Sequence, residues 1–155
     1  MNNFLTSQYP PVAYHFRLQI LGSKDPMDYG FQEISGIKTT LDTEAIAEGG
    51  ENRFQHQIPL KTSYTPLVLK RGMALYKSTL TTWCDDTMEF SIDKPITTYD
   101  LLVSLLNEER EAVLSWKFIN AYPTSWEASN LNAEESSILF ETITLNYNYY
   151  TMVSG

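Results

Sequence analysis

A chain of 155 residues, 43% hydrophobic and 19% charged, fits one domain spanning 1–155 around one apolar core, and is too rich in aromatic residues for a linker. Its formal net charge of −8 opposes phosphate backbones and anionic membrane surfaces, so neither nucleic acid nor a lipid surface is an expected partner. The single cysteine, Cys84, excludes an intrachain disulfide and a thiolate zinc site. No apolar run approaches the ~20 residues of a membrane-spanning helix. Met1–Pro11 lacks the basic and apolar regions of a signal peptide. Synthesis and folding in the cytosol are expected, with any later export as part of something larger.

Residues 1–11 read as a polar N-terminal arm ending at Pro10-Pro11. From Val12 to Ile20, apolar residues alternate with Ala13, His15, Arg17 and Gln19, the period of a half-buried strand. Residues 22–30 carry turn chemistry. Residues 31–46 form one long strand or hairpin, kinked at Ser35-Gly36, and over 38–44 both faces are rather polar. Residues 47–64, with Gly49-Gly50 and Pro59, read as a long irregular loop, a length that is usually functional. Leu67-Val68-Leu69 is a short strand.

Met73, Tyr76, Leu80 and Trp83 recur at spacings of three and four, which predicts one helix over about residues 73–84, ended by Asp85-Asp86. Tyr76 and Trp83 are core residues in this reading. Residues 99–113 fit a helix and a pair of strands equally well. Ala112–Asn120 alternates again, with Leu114, Trp116 and Phe118 on one side and Tyr122-Pro123 closing it, and 126–135 is a polar loop. Residues 139–149 form a long strand in which Glu141 falls on the apolar side and needs a partner or an edge position. The pattern predicts a mainly β protein: an antiparallel β-sandwich or small barrel with one flanking α-helix.

Catalytic sets are missing. His15 and His56 have no partner at metal spacing and read as solvated or interface residues. Asp85-Asp86, Glu108-Glu109 and Glu134-Glu135 are adjacent pairs, which do not share a face and make poor acid–base dyads. Cys84 follows Trp83 at a helix end beside two aspartates, which raises a thiol pKa rather than activating it. Ser35-Gly36 is not a nucleophile elbow and Gly49-Gly50 is not a phosphate loop. Neither an enzyme activity nor a cofactor is expected.

Several stretches in order resemble the tail-tube proteins of contractile phages and the inner-tube proteins of extracellular contractile injection systems. They are the aromatic strand Tyr14–Ile20, the motif Phe31-Gln32-Glu33-Ile34-Ser35-Gly36-Ile37, the loop Glu48-Gly49-Gly50-Glu51-Asn52, and Leu69-Lys70-Arg71-Gly72 before a helix carrying Trp83. Trp116-Lys117-Phe118 leading to Ala121-Tyr122-Pro123, then Leu131-Asn132-Ala133, and a final strand carrying Glu141 complete the series. Two places depart from the pattern: Pro59-Leu60, where Pro-Gly is usual, and an unusual insert around 88–98.

The resemblance implies a barrel with one helix, shared with the haemolysin-coregulated proteins (Hcp) of type VI secretion, and turns 99–120 into a hairpin. It implies a structural subunit of a hollow inner tube. Such homo-oligomers form hexameric rings stacked inside a sheath protein, bounded by baseplate and tube-terminator proteins, with cargo in the lumen. Assembly would be cytoplasmic, followed by incorporation into a released or cell-associated particle. The alternatives are a tube-initiator subunit at the baseplate and an Hcp-like ring that binds and carries an effector. In the tube reading Lys38, Thr40, Asp42 and Glu44 face the lumen, and the loop Glu48, Gly49, Gly50, Glu51, Asn52 within 47–64 makes ring-to-ring contact. Lys70 and Arg71 are either surface charge or partners of a neighbouring subunit's carboxylate, with Glu48, Glu51 and Glu141 as candidates.

Overall fold

The computed structural model describes residues 14–47, 49–50, 53–73, 77–134 and 139–154. The expected N-terminal arm, 1–11, lies outside them. Among the described residues, nine strands and one helix follow in order: β1 His15–Leu21, β2 Met27–Ser35, β3 Thr39–Ile46, β4 His56–Tyr64, β5 Leu67–Gly72, α1 Thr79–Met88, β6 Tyr99–Leu106, β7 Ala112–Ala128, β8 Phe140–Asn146 and β9 Tyr149–Ser154.

All strand pairs are antiparallel. The main sheet runs β6-β1-β2-β5-β8-β7-β9, and β6 also pairs with β7, so six strands close into a barrel and β9 extends it along β7. The inward side chains Leu18, Ile20, Leu67, Leu69, Leu101, Val103, Phe118, Ile143 and Leu145 are buried and form the core with Leu80, Trp83 and Cys84 of α1. Each such aliphatic side chain contributes roughly 1.5–3 kcal/mol over its exposed state.

Five boundaries differ from the sequence reading, one of them the start of β2 at Met27, inside the turn expected over 22–30. The helix starts at Thr79, not near 73, because Ser78 caps it: its hydroxyl accepts from the Thr81 backbone N–H at 3.2 Å. Met73 precedes the helix and is exposed, and Tyr76 lies outside the described residues. Asp85 and Asp86 sit within the helix, which runs on to Met88.

Strand β7 does not stop at Tyr122-Pro123 but reaches Ala128. Asn120 at φ 52° inserts an extra residue, which turns Ala121 and Pro123 inward, where both are buried. The segment 47–64 is not all loop. Residues 56–64 are β4, which pairs with β3 as a separate two-stranded sheet. As expected from the resemblance, β6 and β7 form a hairpin across the turn at 107–111.

Candidate assembly surface

Strands β2 and β5 pair in the barrel with Ser35 opposite Val68, and β3 and β4 pair beyond it with Thr39 opposite Tyr64. The register is the same on both sides of the break, so β2–β3 and β4–β5 are the two legs of one ribbon that bends as it leaves the barrel. Gly36 makes the bend. Its φ is +89°, and a Cβ there would lie 2.0 Å from the Pro66 carbonyl oxygen. The eight residues of β3 carry the arm about 26 Å out at ~3.3 Å per residue.

A tyrosine cluster fixes the root of this arm. The Tyr147 hydroxyl donates to the Thr65 carbonyl at 2.6 Å, and the Thr39 hydroxyl bonds the Tyr150 hydroxyl at 2.7 Å. Tyr64 meets Tyr150 edge-on at 5.5 Å, and Phe118 of the core meets Tyr147 edge-on at 4.8 Å. Burial, with the neighbouring Tyr150 and Tyr64, pushes the Tyr147 phenol up to about 12.

Beyond the root the arm is bare. Every residue of β3 is exposed, as are all of β4 up to Thr62. Leu41 is 55% exposed, Leu60 60% and Phe54 54%, and Ile46 and Ile58 are also exposed. A two-stranded ribbon with no covered face is marginal in water, and this one shows apolar side chains as well. Its outer edges offer unpaired backbone groups of the kind that bind another chain.

The sequence-predicted residues fall as follows. Thr40, Asp42 and Glu44 alternate along one face of β3 and are exposed, and Lys38 is exposed at the root. Glu44 and Ile46 sit opposite Ile58 and His56, so that face mixes acid with apolar side chains. Gly49 and Gly50 form the exposed turn at the arm tip. Glu48, Glu51 and Asn52 lie outside the described residues.

Arg71 and Glu141 correct the expectation of inter-subunit charge pairing. They are directly opposed on β5 and β8, and each is 4% exposed. Arg71 Nε donates to Glu141 Oε1 at 2.5 Å, within one chain. Trp126 Nε1 donates to the other carboxylate oxygen at 2.9 Å. Arg71 Nη2 donates to Ser78 Oγ at 2.6 Å, and its guanidinium lies 5.2 Å from the Phe31 ring centre. The arginine therefore ties the helix cap to two barrel strands. Lys70 is half-buried with its ammonium 5.0 Å from the Phe140 ring centre.

At the other end of β2 from the arm lies a groove of about 790 Å³ between α1, the segment 89–98 and the β1–β2 turn. Its wall includes Ile20, Met27, Trp83, Phe90, Ile96 and Tyr99. The sequence reading marked 88–98 as unusual but gave it no role. Among the described residues, no three of His, Cys, Asp or Glu converge to hold a metal, and no helix is long and apolar enough to cross a membrane.

Over residues 12–151 the chain matches the family of T4-like virus tail tube protein gp19. The chain belongs to this tail-tube family. It is accordingly a structural tube protein and not an enzyme.

Solved structures agree with the tail-tube assignment. A chain in the cryo-EM structure of the anti-feeding prophage (AFP) baseplate, 6-fold symmetrised, is 28% identical, with a TM-score of 0.79 over 96% of this chain and 98% of that one. A chain of the PVC sheath-tube complex of an extracellular contractile injection system, in the extended state, is 23% identical with a TM-score of 0.78 over 100% and 99%. Hcp1 from Flavobacterium johnsoniae shares the fold at 16% identity and a TM-score of 0.59 over 91% and 96%. No individually curated protein sequence matches the tail-tube chain significantly.

Proposed function

We propose that this tail-tube protein is the inner-tube subunit of a contractile injection system or phage tail, forming hexameric rings that stack into a hollow tube and conduct cargo. The observation that carries this reading is the bare arm. It exposes apolar side chains and open edges where an isolated subunit gains nothing, and a ring of like neighbours covers them.

In this arrangement the face of β3 carrying Thr40, Asp42 and Glu44, with Lys38 at its root, lines the channel, and the Leu41 face lies against a neighbouring subunit. Carboxylates on the wall keep it hydrated between the exposed Ile46 and Ile58 that share this face. The tip at Gly49-Gly50 reaches toward the adjacent ring. A sheath protein outside, and baseplate and terminator proteins at the ends, are the partners this role requires. Assembly takes place in the cytoplasm and the product is part of a particle.

The resemblance to a chain in a baseplate structure at 28% identity favours a second reading, a tube-initiator subunit next to the baseplate. Negative-stain microscopy of the purified protein tests both. Rings of one diameter that stack into rods support the bulk tube, rings that stay single support the initiator, and uniform monomers at high concentration overturn both.

A further inference from the structure

We infer that the groove beside α1 is the socket for the arm tip of a second copy in the next ring. This rests on the stacked-ring reading above and names the surface that receives the arm.

Three observations converge on it. The first is polarity. Strand β2 begins at Met27, in the groove wall, and ends at Ser35, where the arm leaves the barrel. Socket and arm root therefore lie at opposite ends of the same strand, so that copies stacked in one sense place the arm of one on the groove side of the next. A contact between two different patches that does not close on itself propagates as a filament.

The second is apolar surface at both ends. At the arm tip Phe54 and Ile46 are exposed. In the groove wall Phe90 is 59% exposed, and Ile92, on the segment that borders the groove but outside its lining, is 98% exposed. Nearly complete exposure of an isoleucine beside a phenylalanine costs solvation free energy that a partner removes. The segment is also held in place. Ser91 and Lys94 form a β-bridge, the Lys94 ammonium lies 3.7 Å from the Glu89 carboxylate, and Trp83 Nε1 donates to the Thr97 carbonyl at 2.9 Å. Such a shelf is preformed for docking.

The third is charge. The whole chain is at −8 and the arm carries Asp42 and Glu44. The groove lining holds Lys77 and Lys94 against Asp25 and Asp86, so its formal charge cancels. An acidic arm meets no net repulsion there, and the contact of Phe54 with the Trp83–Phe90–Ile96 wall provides the attraction.

The experiment uses the full chain in four forms. Wild type is compared with Phe90→Asp/Ile92→Asp by negative stain and sedimentation. Separately, a Phe54→Cys chain is mixed with an Ile92→Cys chain under oxidising conditions, with buried Cys84 left in place. The inference expects the charge variant to form single rings, to need about tenfold or more protein to stack, and to keep its wild-type melting curve. It also expects a disulfide between the two cysteine variants. Stacking at the wild-type concentration by the charge variant, or no disulfide between the two chains, overturns it. If wild type forms no rings but the disulfide forms, the ring reading fails and the arm-to-groove contact stands as a linear chain of subunits.

Discussion

The Tyr147 hydroxyl donates to the Thr65 carbonyl one residue beyond the end of β4, where the ribbon turns from arm to barrel. With the Thr39–Tyr150 hydrogen bond, this bond joins the C-terminal strands to the base of the projecting arm. The neutral phenol is the form that makes it, and this gives the root of the arm a pH dependence.

The Tyr147 pKa is raised to about 12 from the ordinary 10. A group whose folded pKa is raised contributes stability that is complete below the unfolded value and lost as pH rises through the folded one. Stability is therefore expected to fall between about pH 10 and 12. Phenolate absorbance should show one late-titrating tyrosine that is missing in Tyr147→Phe. A titration curve identical in the two proteins would show that the hydroxyl is not protected.

Breaking the Arg71–Glu141 pair strands a buried charge. Glu141→Ala or Arg71→Ala should each destabilise the subunit by about 3–5 kcal/mol, whereas Arg71→Met/Glu141→Leu should recover most of that loss. Urea unfolding of the single and double variants measures both. A loss below about 1 kcal/mol would mean that the pair is solvated.

Gly36→Ala forces a side chain into the left-handed region, at a cost of about 1–3 kcal/mol, and its methyl also meets the Pro66 carbonyl. The expected result is a lower melting temperature and faster hydrogen exchange over 36–40 and 63–66, with the β6–β7 hairpin still protected. Uniformly faster exchange would instead place the bend inside the global folding unit.

Leu41→Ser/Leu60→Ser removes two exposed apolar side chains. The isolated subunit should change in stability by less than about 0.5 kcal/mol per site, while ring formation is lost or needs more protein. Sedimentation velocity across a concentration series separates the two effects. Unchanged rings would show that these side chains remain in water after assembly.

The barrel was largely legible because its strands have one wet and one dry face. Alternation marked β1, β8 and the first half of β7, and Glu141 stood out as a charge on the apolar side. Arg71 and Glu141 both read as charge-pair candidates, but between neighbouring subunits, since they are 70 residues apart in sequence and only the β5–β8 register brings the two together in one chain. Strand β4 was hidden for the opposite reason. Gln57-Ile58-Pro59-Leu60-Lys61 buries neither face, so no period develops, and Pro59 is tolerated because the strand lies at an edge. The helix start was misplaced because Met73 matched the spacing of Leu80 and Trp83, although Ser78 already carried the cap signal. Of the assembly surface, the Gly49-Gly50 turn and the β3 face were visible in the sequence. The groove was not, because it gathers residues from three separate segments.

The common register of barrel and arm gives the interior authority over a surface it never touches. A single residue inserted between Phe31 and Ser35 is either taken up at the irregularity already present between Phe31 and Glu33, or it turns Ile34 away from the core and exchanges the Asp42–Glu44 face of the arm for the Leu41–Thr43 face. Inserting two would lengthen the arm and restore the original facing. A chain that keeps both its core and its arm facing is thus expected to take an odd insertion in this stretch only at the Phe31–Glu33 irregularity, where a bulge absorbs the extra residue.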